Sequence, residues 1–513
     1  MRRLAAMTLL ACCPILVAAG DTQQPDVRFT QSEGWSRLDV VVPGKLLSVA
    51  TMDASRTLYL LVKPVDYPAE PAPTEEPSEY GEEQGATLAC PEPEDTSPPP
   101  PLALYRLELQ QQELTPVRAD LPGDGSALHV VDLDGDGEQE LLLKRPGQFL
   151  ELRSDGLLPL LESPLGIGGR LHASVDGAPA VVSATSGGSL RLYLAGAGTT
   201  GWQETAAIAL PSTGKVHANG LSVRHAVPWY VGRSQDGKLL YATPPQAVGP
   251  RRLQVTLIAL DPSSGEAQIS DCWAGLPGPE KLLNYHFLLL EGRPMLLAET
   301  MPSDKLSLFG EKLLRLFPLE TDRSRLGQAP LFAVKSHMNL WQDAHPVLVD
   351  VNRDGRMDLV IGYWKGLLSP RVALDAYVRE PDGSFRSAPR TTAFDVKNGE
   401  GSYLHYGDDL DGDSLPDLLV RRDQSWLLHS GLPSSSGKKL VERKGTELPL
   451  EVHEIVETGV VEIQLSAAGV SRFTAAAQGK PQFADFAAGK GRAILLIWPG
   501  DRSSSGALQV LWR

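Results

Sequence analysis

Cysteine is scarce, with four residues in 513, and two of them, Cys12 and Cys13, fall within the first twenty positions. No CxxC pair occurs, so no zinc or redox motif is written in the chain. Cys90 and Cys272 remain; an oxidising compartment would let them pair, and their spacing selects neither a bridge nor two separate thiols. Long stretches at helical period are also scarce, which argues against a helical fold. Catalytic signatures are missing: there is no H-E-x-x-H, no G-x-S-x-G and no P-loop, and His453-Glu454 lacks the second His of a zinc site. The glycine-rich run Leu165–Arg170 has neither the spacing nor the context of a nucleotide fingerprint and reads as a turn. Positive charge is in deficit, with 48 Lys and Arg against 63 Asp and Glu, a formal net charge of −15. Binding phosphate needs clustered cations, so nucleic acid is excluded as a partner, while hard cations and basic surfaces suit this balance.

Long apolar runs occur only at the beginning. Arg2 and Arg3 precede an apolar stretch from Leu4 to Ala19, with small residues Ala18-Ala19-Gly20 before Asp21. Residues 1–20 therefore read as an export signal, shorter than the ~20 apolar residues a spanning helix needs. Leu9-Leu10-Ala11-Cys12 overlaps it and resembles a lipoprotein lipobox, so cleavage near Gly20 and a lipid anchor at Cys12 both stay open. Either way the expected location is outside the cytoplasm, in the periplasm, at the outer membrane surface or extracellular, with membrane contact only through such an anchor.

What is plentiful is Gly (49) and Pro (41), set between short apolar runs, which predicts an all-β fold over residues 21–513. One stretch departs from this. Tyr67 to Pro101 is crowded with Pro and Glu and nearly free of large apolar residues, so it reads as a solvated, disordered insertion. It separates two strand-like runs, Thr57 to Lys63 and Leu102 to Leu109, and so looks like the expanded connection of a hairpin.

One motif appears three times: Asp132-Leu133-Asp134-Gly135-Asp136-Gly137-Glu138-Gln139-Glu140, then Asp350 to Asp358, then Asp409 to Asp417. Carboxylates or an amide recur at positions one, three, five and nine. These are Asp132, Asp134, Asp136 and Glu140; Asp350, Asn352, Asp354 and Asp358; and Asp409, Asp411, Asp413 and Asp417. Calcium takes six to eight oxygens at about 2.3–2.6 Å, and a tight loop can turn alternate side chains inward. The main-chain carbonyl at position seven, carried by Glu138, Arg356 and Leu415, completes the expected set. Gly137 and Gly355 at position six allow the sharp turn, and Ser414 replaces that glycine in the third loop. An EF-hand would place a carboxylate at position twelve, but Leu143, Ile361 and Val420 stand there. Each loop runs instead into an apolar strand: Leu141-Leu142-Leu143, Leu359-Val360-Ile361 and Leu418-Leu419-Val420.

These loops resemble the FG-GAP/VCBS repeats of integrin α-chain heads and many bacterial surface proteins. The resemblance implies a β-propeller, with Ca2+ held in the loop between two strands of a blade. Glu140 in place of the usual Asp, and Ser414 in place of Gly, imply weaker first and third sites than the second. Aligned without gaps, Asp132 to Leu152 and Asp409 to His429 match Leu141 with Leu418, Lys144 with Arg421 and Phe149 with Trp426, an internal repeat. Degenerate copies are expected at Leu47 to Lys63, Leu171 to Leu194, Val223 to Tyr241 and Leu283 to Leu308, with a terminal pair at Val456 to Phe473 and Phe483 to Trp498. The spacing gives seven or eight blades, with seven preferred, and a strand near Val27 to Val42 is expected to close the ring beside Leu508 to Trp512.

Two function classes follow. The first is a binding or scaffolding module with a protein or glycan partner outside the cytoplasm and no catalytic centre. The second is a carbohydrate-binding lectin or polysaccharide-active enzyme, for which Tyr363, Trp364 and Trp426 are candidate stacking residues or, alternatively, inter-blade packing.

Overall fold

Short apolar runs punctuated by turn residues give strands from Asp26 to Trp512. A computed structural model describes residues 25–513 except 33, 52–55, 65–98, 134–137, 161–169, 173–179, 185–188, 196–201, 210–227, 249–250, 303–311, 320–329, 337, 339–343, 366–370, 396–402, 423–424, 434–438, 452–455, 468–469, 486–490 and 501–504. The expected export signal, nearly all of the 67–101 insertion, and Cys12, Cys13 and Cys90 lie outside the described residues. Cys272 is buried on the strand Ala267–Gly275. Among the described residues no helix is long and apolar enough to cross a membrane.

The strands sort into eight antiparallel blades in chain order. Blades 1 to 8 begin at Lys45–Thr51, Ala127–Val131, Arg170–His172, Trp229–Arg233, Glu280–Leu290, His345–Val349, Leu404–Tyr406 and Gln482–Ala484. First strands of blades 1 and 2, and of blades 4 to 7 in turn, approach one another, and later strands step outward, which is the plan of a β-propeller. The eight blades correct the preferred count of seven. Blade 8 is drawn from both ends of the chain, so no single stretch carries its full repeat.

That blade also closes the ring. Gln482–Ala484, Ala493–Trp498 and Ala507–Trp512 are followed outward by Trp35–Val41 and then Asp26–Ser32. The expected closure is present, with Ser36 opposite Trp512 and Val41 opposite Ala507. Val456 to Phe473, expected as part of a terminal repeat, is instead part of a hairpin, Val456–Ala467 with Val470–Gln478. Its first strand runs parallel to Lys45–Thr51, pairing Val49 with Ile463, so blade 1 is extended toward the axis.

Middle strands are sandwiched between adjacent blades, which explains their unbroken apolar runs. Leu142, Leu143, Leu359, Val360, Leu418, Leu419 and Val420 are all fully buried, each contributing roughly 1.5–3 kcal/mol of apolar transfer. The proposed copies are superposable in register: Lys144 faces Phe149 in blade 2 as Arg421 faces Trp426 in blade 7, and both aromatics are fully buried. Thr57–Lys63 pairs with Leu102–Glu108, so the long insertion does sit on a hairpin connection of blade 1.

Candidate metal centre

All three acidic loops join the first strand of a blade to the second, in blades 2, 6 and 7. Because the blades repeat one strand order, these connections open on one face of the ring. In the first loop Asp134 and Asp136 lie outside the described residues, while Asp132, Glu138 and Glu140 lie within them.

The third loop brings its carboxylates together: one oxygen each from Asp409, Asp411 and Asp413 lie within 4.8 Å of one another. Main-chain N–H groups hold them in place. Asp409 accepts from Gly412 at 2.7 Å and from Ser414 at 2.8 Å, Asp411 from Asp413 at 3.3 Å, and Asp413 from Leu415 at 2.8 Å. The second loop has a matching pattern. Asp350 accepts from Asp354 at 3.1 Å and Gly355 at 2.8 Å, Asn352 from Asp354 at 3.0 Å, and Asp354 from Arg356 at 2.9 Å. Positions four and six are left-handed in both, Arg353 (φ 60°) and Gly355 (83°) against Gly412 (85°) and Ser414 (66°). Two L-residues thus sit in a conformation that favours glycine, and the loop shape is kept despite that cost.

Position nine has a second task that the sequence pattern does not reveal. Its carboxylate accepts the N–H of position two in every loop: Glu140 from Leu133 at 2.6 Å, Asp358 from Val351 at 3.2 Å, and Asp417 from Leu410 at 2.8 Å. Asp358 and Asp417 also take an N–H from further along the blade, Arg379 at 2.7 Å and Gly431 at 2.7 Å. Both are fully buried. Burial pushes the Asp417 carboxyl up to about 7, even against these N–H bonds, and burial with the charges of Asp354 and Asp350 raises Asp358. Burial, with the charges of Asp411 and Asp409, likewise raises Asp413.

The donor set is all oxygen, with three converging carboxylates in the third loop, and suits a hard cation. In the second loop the Arg356 guanidinium pairs with Asp354, while the Asn352 amide donates to the same carboxylate at 3.0 Å. Some contacts carry no sequence signal because they come from distant segments. Ser430 donates its hydroxyl to Asp411 at 2.7 Å, and Arg513 donates to the Asp411 carbonyl at 3.2 Å. The aromatic candidates Tyr363, Trp364 and Trp426 are buried, at 1%, 9% and 0% exposure, and pack in clusters that span adjacent blades.

Fold and loops together define an eight-bladed β-propeller with acidic first-to-second-strand connections. No family model matches the chain, and no curated protein does. Solved structures resembling it include an alpha-L-arabinanase of Penicillium chrysogenum, 13% identical, covering 67% of this chain and 92% of that one at a TM-score of 0.34. The Nup133 β-propeller domain of Vanderwaltozyma polyspora is 10% identical, covering 94% and 99% at 0.33, and the polysaccharide lyase Uly1 is 8% identical, covering 92% and 90% at 0.32. At these scores the likenesses carry no argument about site or activity.

Proposed function

We propose that this chain is an extracytoplasmic β-propeller of the FG-GAP/VCBS kind, whose loops bind Ca2+ and whose ring serves as a binding or scaffolding module for a protein or glycan. The observation that carries the calcium reading is the convergence of Asp409, Asp411 and Asp413 in a loop with the same left-handed positions as Asp350–Asp358. Calcium is structural in this reading. It fixes loop shape on one face of the ring and stabilises the fold by an amount set by free calcium relative to its dissociation constant. In this reading residues 1–20 are an export signal, with or without lipid at Cys12, that carries the module outside the cytoplasm. The burial of Tyr363, Trp364 and Trp426 removes those three from a sugar-stacking surface, which favours scaffolding over the lectin or polysaccharide-enzyme reading.

Thermal unfolding with calcium and with excess chelator, alongside metal analysis of the mature protein, tests the proposal. Bound calcium with a higher melting temperature supports it. Calcium-free protein with an unchanged transition would sink the metal assignment and leave a propeller with acidic turns.

A further inference from the structure

The third loop differs from the second in what holds it from outside. Arg492, in the connection between the first and second strands of blade 8, donates its main-chain N–H to the Asp409 carbonyl at 2.9 Å. Its guanidinium pairs with Asp408 and, at 2.8 Å, with Asp485. Beside it Gly491 (φ 89°) lies so close that a Cβ there would meet Gly412 N at 2.8 Å and Leu410 O at 2.8 Å. Arg513 donates to the Asp411 carbonyl at 3.2 Å while its guanidinium lies over the Trp35 ring at 5.7 Å. Beneath the loop, fully buried Leu410 packs in one cluster with Trp35, Ile494, Leu496 and Leu511. The loop therefore touches strands from both ends of the chain, the two that close the ring.

The second loop packs on blade 7 instead, with Val351 in one cluster with Leu404, Tyr406, Leu418 and Val420. It is braced by Arg379 of its own blade, which reaches Glu291 in blade 5.

We infer that the Asp409–Asp417 loop is a cation-dependent clasp: cation binding there and closure of the ring through blade 8 are thermodynamically coupled, with Gly491 and Arg492 as positioning residues. This rests on the calcium reading above. A cation that binds only the shaped loop stabilises whatever shapes it, and the coupling is reciprocal, so a blade 8 segment pushed off the loop weakens cation binding.

The test is hydrogen exchange by mass spectrometry on the full chain, with calcium and with chelator, together with calcium titration. Calcium is expected to slow exchange in Trp35–Val41 and Ala507–Trp512 on the order of tenfold. Asp413→Asn should abolish that protection and Asp354→Asn should leave it. Gly491→Ala, which forces the blade 8 segment away, should weaken third-loop affinity on the order of tenfold and leave second-loop affinity unchanged. Calcium bound at the third loop with unchanged exchange in the closing strands overturns the clasp while leaving the calcium reading intact. Absence of bound calcium overturns both.

Discussion

Glu299 is fully buried in blade 5, and its carboxylate is shared by four donors: Lys312 at 2.9 Å, His286 at 3.1 Å, the Ala344 N–H at 3.2 Å and the Asn284 amide at 3.5 Å. Lys312 is itself only 1% exposed. Burial works to raise the Glu299 carboxyl, but the bonds from His286 and Lys312 and the Lys312 charge outweigh it, and the group is held below its ordinary 4.5. A depressed carboxylate contributes stability that is full above its unfolded value and lost as pH falls through the lower folded value. Glu299→Gln, which leaves the ammonium buried without its counter-charge, is expected to cost about 3–5 kcal/mol at pH 7. Chemical unfolding at pH 7 and again below pH 4 checks this. The gap between variant and parent should shrink on acidification, and a gap independent of pH would show that the pair is not the cause.

Ser414 makes the opposite case at the same scale. It holds φ 66° where the other two loops carry Gly137 and Gly355. Ser414→Gly should relieve this strain and raise stability by about 1 kcal/mol, read as an increase in melting temperature in chelator, where no bound cation masks it. A decrease would mean that the hydroxyl contributes more than the backbone strain costs.

At the scale of the strand, the shared register of blades 2 and 7 predicts which changes a blade tolerates. Trp426 lies edge-on to Tyr403 with centroids 5.4 Å apart and donates its indole N–H to the Glu451 carbonyl at 3.2 Å. Trp426→Ala should cost about 3–5 kcal/mol through the cavity. Trp426→Phe, which installs the residue that blade 2 uses at Phe149, should cost less than half as much in the same denaturation experiment. Equal losses would mean that the repeat is a likeness of sequence without a likeness of packing.

The repeat was legible because strand, turn and strand are local, and the apolar triplets after each loop report burial on both faces. The loop pattern was equally local: alternate oxygens and a glycine. What stayed hidden depended on the third dimension. Position nine reads as one more ligand, yet its buried carboxylate is an anchor for main-chain N–H groups, a role set by where the next strand ends. Blade 4 shows a related limit, since its second strand is broken into Leu239–Ala242 and Gln246–Ala247 around Pro244 and Pro245, which cannot donate to the ladder. Val456 to Phe473 has the apolar alternation of a blade but pairs in parallel with the first strand of blade 1, a partner over four hundred residues away.

For the whole molecule the decisive element is the strand Trp35–Val41. Without it Ala507–Trp512, whose Leu508, Val510 and Leu511 are fully buried, would be an open apolar edge, the feature that drives strand-to-strand association. A protein beginning at Gly44 is therefore expected to self-associate, seen by size-exclusion chromatography with light scattering. The pairing also specifies the repair. Ser36 faces Trp512, so Trp35 and Arg513 lie at the same end of an antiparallel pair. A two-residue Asn-Gly turn suits such a junction. Residues 35–42 appended after Arg513 through that turn should restore the monomer, although Asp26–Ser32, largely exposed and outermost, is absent. Failure of the appended strand, with the shortened protein still monomeric, would mean that the ring is held by packing between blades and needs no strand from the other end of the chain.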